Sequence, residues 1–208
     1  MENRSVGIVM IGLPKVGKTT LVNQFCGLPV SEEYQQTEQE HTVNTVLTIN
    51  KVGYRFTFND CNGDSFLNAR TTNNSMLSKG KIHILVASRS ESDSGEFLQG
   101  QFRDINDRDG DNSPCYRLVY VTHSDENDDD NVVEKIKSFL PDGIKLFQFN
   151  ALTQKEDIQS SLTDFLKRAV VEHQELFDGC VVSNTTSNSK SCNESSKKEK
   201  KGKKCVML

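Results

Sequence analysis

The residues with the clearest chemical use form one run, Gly12-Leu13-Pro14-Lys15-Val16-Gly17-Lys18-Thr19. Its glycines let successive backbone N–H groups turn inward around an anion. Lys18 then reaches the β/γ oxygens of a bound polyphosphate, and the Thr19 hydroxyl is free to ligate Mg²⁺. Such a loop works between a strand and a helix, because the helix N-terminus adds partial positive charge. The apolar run Val6–Ile11 precedes it, and a helical pattern from Thr19 to Phe25 follows. The stretch therefore reads as a phosphate-binding P-loop, with a glycine-bearing surface turn as the plain alternative.

Positioning such a loop requires a layered sheet, and the rest of the chain supplies one. After a polar loop from Leu28 to His41, Val43, Val46, Leu47 and Ile49 mark a strand. Tyr54, Phe56 and Phe58 alternate with Arg55 and Thr57 in the next, with Lys51-Val52-Gly53 as the hairpin turn. Asp60-Cys61-Asn62-Gly63 closes that strand, and Asp64 to Lys79 is polar and loop-like. Further strands are expected at Ile82–Ala87, Tyr116–Val121 and Ile144–Phe149, with helices over Glu96–Asp107 and Val132–Leu140. A last helix carries Ile158, Leu162, Phe165, Leu166, Ala169 and Val170 at helical spacing. Strands alternating with helices predict an α/β fold of three layers. Its sheet is mostly parallel and six-stranded, with one antiparallel edge strand. Ligands of such sheets lie at the carboxyl ends of the strands, where the loop motifs fall.

The 208 residues suit one domain, expected over residues 1–177, and a tail over 178–208. The tail is rich in Ser, Asn, Thr and Lys, cannot bury a core and is expected to be disordered. From Asp178 onward seven lysines face three acidic residues, so the net charge of −4 divides into +4 on the tail and −8 on the body. An acidic body with a basic tail argues against a nucleic-acid-binding role for the domain. No apolar run approaches the roughly 18 residues that span a bilayer, and none follows Met1 as a leader would, so a cytosolic protein is expected. Its six scattered cysteines are then expected to be reduced.

The order and spacing of these motifs resemble the Ras superfamily of small GTPases over roughly residues 4–177. The resemblance implies that GTP or GDP and Mg²⁺ are the ligands. It assigns nucleotide contacts to Gly12, Lys15, Val16, Gly17, Lys18, Thr19 and Thr20, and Mg²⁺ to Thr19, Thr37 and Asp60. Tyr34-Gln35-Gln36-Thr37-Glu38-Gln39-Glu40 is similar to the effector loop, switch I, whose Thr senses the γ-phosphate. Asp60-Cys61-Asn62-Gly63 resembles the DxxG motif of switch II, whose Gly amide meets the γ-phosphate. Thr122-His123-Ser124-Asp125 stands where the family has NKxD, and Asn150-Ala151-Leu152 where it has Ser-Ala-Lys. His123 is then expected flat on the purine, Ala151 beside it, and Asp125 accepting from guanine N1–H and N2–H. The catalytic set becomes Lys18, Thr37, Gly63 and Asp64.

The departures point to weaker binding and slower chemistry. Thr122 and Leu152 replace the Asn and Lys of the base motifs, and Val30 replaces an aromatic edge. Each lost contact costs on the order of 1 kcal/mol. Asp64 stands where a Gln orients the attacking water; it is shorter and negative, so slow hydrolysis is expected. Pro14 and Lys15 replace small glycines, and Lys15 either adds charge near the phosphates or faces solvent.

The chain ends in a basic run, Lys197 to Lys204, and Cys205-Val206-Met207-Leu208. This CaaX pattern calls for a geranylgeranyl group on Cys205, with the lysines as the second membrane signal. The expected partners are guanine nucleotide, effector, exchange-factor and GTPase-activating proteins at the switch loops, and anionic lipids at the tail, with the protein itself a monomer. The expected location is the cytosolic face of a membrane, foremost the plasma membrane. Two functions stand open: a GTP/GDP switch in signalling, and a pseudo-GTPase interaction module that binds nucleotide weakly or without turnover. A P-loop metabolite kinase would leave the DxxG motif, Asp125 and the tail unexplained.

Overall fold

The computed structural model describes residues 5–68, 75–109, 116–124, 131–177, 179–182 and 193–194. Six main strands are present: β1 (Val6–Ile11), β2 (His41–Ile49), β3 (Val52–Asp60), β4 (Ile82–Ser88), β5 (Tyr116–Thr122) and β6 (Lys145–Gln148). They lie in the order β6-β5-β4-β1-β3-β2. Every neighbouring pair is parallel except β2 with β3. The expected α/β fold with one antiparallel pair is therefore the observed one.

Period-two alternation sorts each central strand between two faces. Ile8 and Met10 of β1, Ile84 and Val86 of β4, and Leu118 and Tyr120 of β5 face helices α1 (Lys18–Cys26) and α5 (Lys155–Glu172). Leu85, Ala87, Val119 and Val121 face α3 (Ser94–Asp109) and α4 (Asn131–Phe139). All six apolar residues singled out in α5 are buried. Each of them except Ala169 contributes roughly 1.5–3 kcal/mol, which fixes this helix beneath the loops it must support.

Three local expectations are corrected. The segment from Asp64 to Lys79 is not all loop: Ser65–Asn68 forms the short helix α2. Phe66, Met76 and Leu77 there close a third apolar cluster with Val9, Ile11, Cys61 and Ile105, so three anchors suffice where no helical stripe is visible. The hairpin turns at Asn50 and Lys51, both with positive φ (50° and 67°), since Ile49 pairs with Val52. Gly53 lies within β3 instead. The chain also stays on the sheet past Phe177: Val181–Val182 forms β7 on the start of β3, beside Cys180, whose carbonyl accepts from Arg55 N–H at 3.0 Å. Phe177 and Cys180 are buried, and they anchor a stretch whose composition reads as tail. Asn193–Glu194, β8, pairs with β2.

Candidate nucleotide site

The parallel register brings the carboxyl ends of β1, β3, β4, β5 and β6 to one edge. Met10 pairs with Asp60, Ile11 with Leu85, Ser88 with Thr122, and Val121 with Gln148. Because β2 runs the other way, its first residue, His41, also faces Asp60, and this delivers the preceding loop to the same edge.

The loop after β1 is locked by close approaches that only glycine permits. A β-carbon on Gly12 would press on the Val86 carbonyl and sit 2.8 Å from Val16 Cγ2. Gly17 has φ 84° and caps α1 in the left-handed region. A β-carbon on Gly63, from the loop after β3, would stand 2.6 Å from the Leu13 carbonyl carbon and 2.7 Å from Pro14 Cδ. The two phosphate-side loops are therefore packed backbone against backbone.

Lys18 is buried and donates to the carbonyls of Gly12 at 3.1 Å and Leu13 at 2.7 Å. Burial holds its pKa below the ordinary value, while Asp60, Cys61 and Asp64 push it back up. Beside it, Thr19 Oγ1 donates to Asp60 Oδ2 at 2.6 Å and lies 3.1 Å from Thr37 Oγ1. With the Thr19 proton committed to the carboxylate, the Thr37 hydroxyl is the donor of that second bond. Asp60 is fully buried, and its Oδ1 has no hydrogen-bond partner. Burial raises its pKa, with Thr19, Lys18 and His41 opposing. A buried carboxylate with one orphaned oxygen, flanked by two hydroxyls, suits a hard divalent cation. The three residues assigned to Mg²⁺ thus fit it.

A cavity of about 430 Å³ opens over this group. Lys15, Gly17, Lys18, Thr19 and Thr20 border it from the P-loop, Tyr34, Gln35 and Thr37 from switch I, and Gly63 from switch II. His123, Asn150, Ala151 and Leu152 close the other end, and Val30 lies on its side. Gly12 and Val16 do not reach it: both are buried under the loop, which they shape without lining the cavity. Asp64 does not line it either; its carboxylate accepts from Gln36 Nε2 at 3.0 Å, tying switch II to switch I. Glu38, Gln39 and Glu40 stay outside, with Glu40 paired to Lys79. Asp125 and Cys205 lie outside the described residues.

Thr122 turns away from the cavity. Its buried hydroxyl has the carbonyls of Val16, at 3.0 Å, and Ala87, at 3.2 Å, as acceptors, so it clasps β5 to the P-loop. With that proton spent, His123 Nδ1 carries the hydrogen in its contacts to Thr122 Oγ1 (3.0 Å) and Ser88 Oγ (2.8 Å). The ring is held by its Nδ1 side. Gln24 is a residue that sequence reasoning passed over. From α1 its amide donates to the carbonyls of Ala151 (3.2 Å) and Leu152 (2.8 Å), hanging the last loop on the helix that carries the P-loop. A lone polar residue on a helix gives no signal of that role.

A family model described as the Ras of Complex, Roc, domain of DAPkinase matches residues 7–125, more than half of the chain. Comparison with curated proteins finds no match. The matched span runs from β1 through both switch loops to the end of the 122–125 motif, the same residues that build the site from the P-loop side. The chain belongs to the Roc family, a GTPase-like domain of the Ras superfamily.

Proposed function

We propose that this protein is a GTP/GDP switch that hydrolyses its nucleotide slowly and acts at a cytosol-facing membrane. The convergence of Thr19, Thr37 and Asp60, with Asp60 Oδ1 lacking a partner, carries the reading. Mg²⁺ bound there supplies charge neutralisation for the phosphates. Lys18 and the P-loop amides orient the β/γ oxygens, and Thr37 draws switch I inward with the γ-phosphate. Gly63, already seated on Pro14, brings switch II along. His123 and Ala151 flank the base, with Asp125 selecting guanine. Loss of the γ-phosphate frees Thr37 and releases the loop from effectors.

Slow turnover follows from Asp64, whose carboxylate is engaged by Gln36. The same bond favours a second reading, a pseudo-GTPase module that holds nucleotide without turnover. Single-turnover hydrolysis of pre-bound GTP, measured beside its dissociation rate, separates the two. Cleavage faster than release that is lost in Lys18→Ala supports the switch, stable GTP the module. Absence of any Mg²⁺-dependent preference for GTP over ATP sinks the switch, and failure to retain GTP at all favours the module.

The tail completes the proposal. A prenyl group on Cys205 and the lysines of 197–204 supply the two signals a stable anchor needs. Cys205→Ser is expected to move the protein from the membrane to the soluble fraction of cells.

A further inference from the structure

Lys15 occupies a backbone position that penalises it. Its φ is 65°, in the left-handed region where a β-carbon crowds the next carbonyl and glycine is at home. The side chain is exposed at the cavity mouth, and Nζ lies 5.7 Å from the centroid of the Tyr34 ring. Lys18 differs: it is buried and bound to two loop carbonyls, part of the framework. Among the described residues no carboxylate pairs with Lys15. A cation held only by a half-exposed ring is held weakly and exchanges readily.

Position and charge say where it would go. Pro14, its chain neighbour, packs on Gly63, whereas Gly17 packs toward Thr122 and Ala151. Lys15 therefore follows the residue seated on switch II, and its Nζ reaches Tyr34 of switch I, at the switch end of the cavity. Glu32 and Glu33 border the same cavity, so a triphosphate entering it meets like charge. A free cation at that end offsets both.

We propose that Lys15 is a second phosphate-directed cation, which leaves the Tyr34 ring for the terminal phosphate of GTP and so makes the site prefer GTP over GDP. The inference rests on the nucleotide reading above. Because Tyr34 and Thr37 share one loop, departure of the cation from the ring is coupled to the rearrangement of switch I.

The test uses the full chain with Mg²⁺ and compares Lys15→Gly, Lys15→Asn and Lys15→Arg. Glycine and asparagine both accept a left-handed φ, so neither threatens the loop. Affinities for a non-hydrolysable GTP analogue and for GDP are measured by fluorescence titration. Gly and Asn are expected to lower the GTP-over-GDP ratio about tenfold, as one charge-assisted contact does. Arg keeps the ratio within about twofold, since it retains the charge. An unchanged ratio in both neutral variants overturns the assignment, as does an equal loss for both nucleotides, which would mean Lys15 serves loop structure only. Failure of the wild-type protein to bind either nucleotide overturns the reading underneath, a separate result from normal binding with an unmoved ratio.

Discussion

Asp60 and Asp64 show how two carboxylates four residues apart do opposite things because their surroundings differ. Asp60 is fully buried and its pKa is raised above the ordinary 3.8. The folded chain therefore holds that proton more tightly than the unfolded chain. This contribution to stability is full below about pH 3.8 and is lost as pH climbs through the raised native value. Without Mg²⁺, Asp60→Asn is expected to gain on the wild type as pH rises from 4 toward 7; with Mg²⁺ the order reverses, because the cation favours the charged form. Denaturant melts at several pH values, with chelator and with Mg²⁺, check it, and parallel curves would remove Asp60 from the metal site. Asp64 is part-exposed and bound to Gln36. Asp64→Gln is expected to raise single-turnover GTP hydrolysis roughly tenfold or more, because an amide orients the attacking water without adding negative charge beside the phosphates. No rise would mean that turnover is limited elsewhere.

Elements matter here mostly where backbones touch. Gly63 shows no positive φ, so a side chain there is opposed by crowding against Leu13 and Pro14 and not by conformation. Gly63→Ala is expected to cost about 1–3 kcal/mol and to lower the thermal midpoint, as overpacking does. An unshifted midpoint would mean that switch II is not seated on the P-loop. The clasp of Thr122 on Val16 and the suspension of Ala151 from Gln24 act in the same way at the base end. Together they tie the end of β5 and the loop after β6 to the P-loop and α1, so the two ends of the cavity share one frame.

At the scale of the molecule, the sheet does not end where composition suggests. Val181–Val182 continues the line of β1 along β3, and Phe177 and Cys180 fill the space under it, with Phe177 edge-on to Tyr54 and Phe56 at 6.0 Å. A chain ended after Phe177 is expected to be less stable than one ended after Val182 by roughly 1–3 kcal/mol, from the lost Cys180 burial and the Arg55–Cys180 bond. Equal urea midpoints for the two chains would make β7 dispensable.

Sequence by itself determined the fold class, the six main strands and the P-loop. Those follow from local rules: short apolar runs in β1, β4 and β5, period two in β3, period 3.6 in α5, and glycines where a phosphate needs bare amides. It also proposed Thr19, Thr37 and Asp60 as one group, though only through resemblance, since 18 and 41 residues separate them. What only the tertiary structure decided are contacts between segments with no shared period. These include the turn of Thr122 toward Val16, the hold of Gln36 on Asp64, the support of Ala151 by Gln24, the place of Lys15 over Tyr34, and the return of Val181 to β3. Such pairings depend on which loops the parallel register brings to a common edge, and a single side chain's partner across that edge leaves no trace in its neighbours along the chain.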